Sequence, residues 1–203
     1  MRKHGWSSGR LSWVWLLVLT VVPGCLSGCG RTPPPPARDV LEAMRAAAGT
    51  MPAGEVYDRA SDPAGKGYLS DVLFAALYGP AARGRLGGTA PDTPEDPAAP
   101  AMIPDAAIFL SSRQHPAELA VLRCADADGA LTAASLCRLR LDSLRDEWQG
   151  TDCASWVDRA DVTVEGCYVL MAVVPDPEAA FDAARRVIAS PQRRGSTRAS
   201  GEE

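Results

Sequence analysis

Histidine is almost missing. Of 203 residues only His4 and His115 are histidines, so a Ser-His-Asp or Cys-His nucleophilic site would have to be built on one of them. His4 lies in a leader read below as removed. His115 stands in a turn before Pro116, where a histidine is ordinarily solvated polar surface. Lysine is equally scarce: Lys3 and Lys66 are the only two, and every other basic side chain is arginine. No Gly-x-Ser-x-Gly elbow occurs, nor a phosphate loop ending in Gly-Lys-Ser/Thr. The cysteines lack the Cys-x-x-Cys spacing of zinc sites, and no histidine cluster supplements them. These absences leave no catalytic residue to name, and they point to no metal and no cofactor.

Positive charge is also in deficit, with 21 basic against 25 acidic side chains. The first 28 residues hold Arg2, Lys3 and Arg10 and no acid, so their removal leaves 18 basic and 25 acidic, a net charge of -7. Nucleic-acid binding needs clustered positive charge to displace counterions, and this balance argues against it. It argues equally against recruitment by anionic headgroups alone.

What is present begins with an export signal. Met1 to Arg10 is basic and polar, and the apolar core from Leu11 through Trp13 to Val22 follows. That core is shorter than the about 20 apolar residues a membrane-crossing helix requires. After Pro23-Gly24 comes Leu26-Ser27-Gly28-Cys29, which matches the lipobox of bacterial lipoproteins at every position. Small residues before the cut let the extended chain enter a peptidase groove, and the Cys29 thiol takes a diacylglyceryl group. Residues 1–28 are therefore expected to be a lipoprotein signal peptide. The mature chain is expected outside the cytoplasm, tied to the membrane by acyl chains such as palmitate on Cys29. Gly30 rather than aspartate follows, which permits passage to an outer membrane where the cell has one.

The mature chain reads as a tether, one domain and a tail. Residues 29–38 carry Pro33 to Pro36, a stiff polyproline II spacer. Residues 39–190 form the domain and 191–203 a polar tail. Within the domain, Asp39 to Ala48 reads as a helix burying Val40, Leu41, Met44 and Ala48, closed by Gly49. A second helix covers about Tyr68 to Tyr78, with Leu69, Val72, Leu73, Ala76 and Leu77 as its apolar face. About 79–104 is rich in Gly, Pro, Ala and Asp, and is expected to be a disordered insertion. Ala106 to Ser111 and Ala117 to Cys124 make one hairpin; Asp161 to Glu165 and Cys167 to Val174 make another. Between them the longest helix, about Ala130 to Trp148, buries Ala134, Cys137, Leu141, Leu144 and Trp148. Arg138, Arg140, Asp142 and Arg145 sit mostly away from that stripe, with Arg138 spaced to pair with Asp142. Asp176-Pro177-Glu178 starts the last helix. The expected fold class is α+β: a small antiparallel sheet from two hairpins with helices on one face, in the order α-α-β-β-α-β-β-α.

In this pattern the chain resembles the domain of unknown function 4358 family of bacterial lipoproteins. The stretches that carry the resemblance are Tyr68 to Gly79, Ala117 to Cys124, Leu136 to Leu144 with Arg140, and Val164 to Val173 followed by Asp176-Pro177-Glu178. The long insertion and the domain cysteines depart from it. The resemblance implies lipoprotein status and this order of elements, and it supplies no activity.

Among the remaining residues, Asp126-Ala127-Asp128-Gly129 resembles the opening of a calcium loop, but Leu131, Ala133 and Cys137 stand where later ligands belong. A turn and helix cap is the better reading. Asp146 with Glu147 and Asp158 with Asp161 are neighbouring acids of an acidic surface. Cys124, Cys137, Cys153 and Cys167 are possible disulfide partners outside the cytoplasm, with Cys124–Cys137 and Cys153–Cys167 the favoured pairs; buried free thiols are the alternative. Trp148 is expected in the core, while Trp156 is open to a binding role. The function these observations suggest is a membrane-anchored envelope lipoprotein whose domain is a non-catalytic binding or scaffolding module for an unknown envelope protein or ligand. A carboxylate-based hydrolase of the cell envelope is the alternative, and it would need two acids converging in one cleft.

Overall fold

A computed structural model of the chain describes residues 33–79 and 102–190. The lipobox residues Leu26, Ser27, Gly28 and Cys29, most of the expected insertion and the expected tail lie outside the described residues.

The strands are β1 (Gly54–Asp58), β2 (Asp105–Ser111), β3 (Glu118–Arg123), β4 (Asp161–Glu165) and β5 (Tyr168–Val173). They form one five-stranded sheet in the order β1-β2-β3-β5-β4, with every neighbouring pair antiparallel. The described helices are α1 (Ala37–Ala47), α2 (Asp71–Tyr78), α3 (Ala127–Trp148), α4 (Ala154–Arg159) and α5 (Pro177–Ala189). The α+β class, the antiparallel sheet and the order of the expected elements are as the sequence predicts. The sheet gains an edge strand, β1, and a short helix, α4, follows α3.

The helices cover both faces of the sheet, where the sequence suggested one. Ile108, Ala120, Leu122, Val169 and Met171 pack under α2, α3 and α4. Phe109, Leu119, Val121, Leu170 and Ala172 alternate with them and pack under α1 and α5. The reason lies in the strands themselves. The cores of β2, β3 and β5 are near-continuous apolar runs, and a strand apolar at every position must be covered on both sides.

Local chemistry fixes the helix ends. Asp126 Oδ1 accepts from Gly129 N at 2.7 Å and starts α3, as the cap reading of that turn predicts. Asp176 caps α5 through Ala179 N at 3.0 Å, with Pro177 in the first turn. Ser70 caps α2 through Leu73 N at 3.1 Å. Gly49, at φ +85°, ends α1 in a conformation that side chains with a Cβ disfavour. Gly54 answers a different need: a Cβ there would lie 2.3 Å from Leu110 O, so only glycine lets β1 approach β2 at this point.

Three local expectations are revised. In α2 the buried residues are Phe74 and Tyr78, stacked with centroids 5.2 Å apart, while Val72 is 81% exposed. The larger ring surfaces take the core side and roll Val72 and Ala76 outward. Asp142 pairs with Arg145 at 3.1 Å, and not with Arg138. The chain also joins the fold before residue 39. Pro35 is buried, its carbonyl accepts from Tyr168 Oη at 2.5 Å, and Ala37 N donates to Asp105 Oδ2 at 2.9 Å. The last prolines of the expected spacer are thus part of the domain. At the other end of the expected insertion, Ile103 is fully buried and Met102 O accepts from Ala125 N at 3.0 Å.

Candidate functional site

Three carboxylates are buried among the described residues: Asp58, Asp105 and Glu118. Burying a charge without a partner is costly, and each has an arginine. Asp58 meets Arg38 and also accepts from Ser61 N at 2.6 Å. Asp105 accepts from Arg123 Nε at 3.0 Å and from Ala37 N. Both therefore fasten the start of α1 to the sheet.

Glu118 is placed differently. It opens β3 on the face toward α3, and only 2% of it is exposed. Its Oε2 accepts from Arg140 Nη2 at 2.7 Å and Nε at 3.1 Å, a two-pronged contact that the planar guanidinium is shaped to make. Tyr78 Oη donates to Oε1 at 2.7 Å. Burial raises the Tyr78 phenol well above its usual range, and the Glu118 charge adds to this. Burial opposes the charge on Arg140, but Glu118 outweighs it and holds the guanidinium more firmly protonated. Arg140 thus turns inward although its neighbours Arg138 and Asp142 do not define the stripe.

Above this ion pair lies a half-open cleft of about 1170 Å³. Glu55 and Tyr57 of β1 form one wall, Leu77 of α2 another, and Ser143, Glu147 and Trp148 of α3 a third. Leu110, Ser111 and the turn residues Arg113 and His115 complete it. Tyr57 Oη donates to Glu55 Oε2 at 2.6 Å, which raises the phenol further from ionisation. The lining mixes apolar rings with charges of both signs.

His115 is not simply solvated. Its ring meets Trp156 edge-on with centroids 4.3 Å apart, and its Nδ1 accepts from Ala117 N at 3.2 Å. A ring nitrogen that accepts is unprotonated, so the hydrogen sits on Nε2. Burial lowers the ring's pKa, which keeps it neutral near pH 7. Trp156 is half-buried against this ring, and Trp148 is half-buried at the cleft.

The paired acids do not converge. Asp146, Glu147, Asp158 and Asp161 are all exposed, and Asp161 accepts from Val162 N at 2.7 Å. Among the described residues no three His, Cys, Asp or Glu side chains gather to hold a metal ion, and no helix is long and apolar enough to cross a membrane. Cys124 and Cys137 are buried, Cys153 is half-buried at the start of α4, and Cys167 is exposed; all four are unbonded.

Set beside known protein families, curated proteins and solved structures, the chain matches none. The family models therefore lend no support to the resemblance to the domain of unknown function 4358 family.

Proposed function

We propose that the chain is an envelope lipoprotein, lipid-anchored through Cys29, whose domain is a non-catalytic binding module that presents the cleft over Glu118 and Arg140. The anchor rests on the lipobox Leu26-Ser27-Gly28-Cys29 behind a basic, then apolar leader. The binding half rests on one observation: the buried carboxylate of the cleft is already saturated. Glu118 accepts from Tyr78 and Arg140 on both oxygens, so it has no free lone pair suited to acid or base work. A hydrolase needs one carboxyl able to give a proton and a second facing it. Glu55 and Glu147 line the same cleft, which favours a carboxylate-based hydrolase as the second reading; against it, Glu55 already accepts from Tyr57 Oη.

What the cleft offers a partner is shape, two aromatic rings and exposed charge at Glu55, Glu147 and Arg113. The fit is to an envelope protein or ligand with both apolar and polar groups. A photo-crosslinking residue at Glu147, on the cleft wall, should give a discrete adduct in intact cells. The same residue at Glu42, exposed on α1, should not. Equal labelling from both positions, or none from Glu147, would contradict the assignment.

A further inference from the structure

Cys124 and Cys167 stand opposite each other across the two central strands. The register of β3 with β5 pairs Arg123 with Tyr168. One step further along each strand brings Cys124 against Cys167, and Cys124 N donates to Cys167 O at 2.8 Å. Directly opposed residues of an antiparallel pair lie about 4.5–5.5 Å apart at Cα, within the roughly 4.4–6.8 Å that a disulfide spans. Cys167 occupies the turn after Gly166, which has φ +62°, and it is exposed. Cys124 is 4% exposed. Cys137 is fully buried in α3, without solvent access.

We propose that Cys124 and Cys167 form a disulfide that clamps β3 to β5, with Cys167 as the thiol that meets the oxidant. The oxidant is an external disulfide, small or carried by a protein. The Cys167 thiolate attacks one of its sulfurs, breaks the external S–S bond and releases the first thiol. Cys124, once deprotonated, attacks Cys167 Sγ, breaks the mixed disulfide and releases the second. The two cysteines lose two protons and two electrons, and the oxidant ends as two thiols. Burial, with smaller contributions from Cys167 and Asp126, raises the Cys124 thiol to about 11, so closure is the slower step and accelerates with pH. Burial pushes Cys137 higher still, with Glu118 adding, and leaves it a spectator. This pairing differs from Cys124–Cys137 and Cys153–Cys167, which nearness in sequence favours. Its geometry is independent of the lipid anchor; export only brings the oxidant.

The test is oxidation of the purified full chain with oxidised glutathione, followed by alkylation and peptide mapping. A peptide joining Cys124 to Cys167 is expected in the native chain and in the Cys137→Ala/Cys153→Ala variant. The thermal midpoint should rise by about 5–15 °C over the reduced form. Cys124 joined to Cys137, Cys153 joined to Cys167, or alkylation of both Cys124 and Cys167 would overturn the proposal. Mapping of the native chain decides the matter even if the Cys137→Ala/Cys153→Ala variant fails to fold.

Discussion

The two faces of the sheet solve the same burial problem in different ways. On one, α1 and α5 lie side by side over Phe109, Leu119, Leu170 and Ala172, and the buried charges, Asp58 and Asp105, sit where α1 begins. There the ion pairs act as fasteners for a closed helical layer. On the other, α2 and α3 leave a cleft, and the buried charge lies beneath it as Glu118 and Arg140. Replacing a buried ion pair by well-packed apolar residues of the same size is often neutral or stabilising. A buried ion pair under the cleft is thus weak evidence of stability, and the binding module proposed above is the reading that gives it a role.

Breaking the open face should have the larger effect. Arg140→Met strands the Glu118 carboxylate without its counter-charge and should cost about 3–5 kcal/mol in urea unfolding. Tyr78→Phe, Glu118→Leu and Arg140→Met together should cost clearly less than that single change, because no buried charge is then left alone. A single-variant loss under about 1 kcal/mol would mean that water reaches Glu118 freely, and the contrast between the faces would fail.

On the closed face the corresponding change is milder. Tyr168→Phe removes the bond to Pro35 O and should cost about 1 kcal/mol, the ordinary worth of one hydrogen bond. It should also speed proteolytic cutting near Pro35 without altering cutting elsewhere. Unchanged cutting would show that packing of Pro35 and Ala37 holds the segment by itself.

Much of the architecture was legible because it follows from periodicity. The stripes Val40-Leu41-Met44 and Cys137-Leu141-Leu144 are buried as read, and the cap at Asp176-Pro177 is where its chemistry requires. The strand β1 was not legible: Gly54-Glu55-Val56-Tyr57-Asp58 is short, polar at both ends and half-exposed at the sheet edge, so it carries almost no alternation. The two-sided sheet could have been read from the unbroken apolar runs in β2, β3 and β5. The ion pair could not be read with the same ease. Glu118 and Arg140 are 22 residues apart in separate elements, and Arg140 looks like one charge among several on a polar helix face. A faint signal was present: Arg140 lies three residues after Cys137 and four before Leu144, which places it beside the buried stripe. The opposition of Cys124 and Cys167 across β3 and β5 was hidden for a related reason. Nearness in sequence favours Cys124–Cys137, whereas the Cys124–Cys167 pairing proposed above rests on strand register, which sequence spacing does not carry.

The envelope role proposed for the domain depends on its being held at a bilayer by lipid on Cys29. Intact-mass measurement of the chain extracted from membranes tests this most directly. A mature chain beginning at Cys29 and heavier by a diacylglyceryl group is predicted. A chain that keeps residues 1–28, or one that begins with an unmodified cysteine, would contradict it.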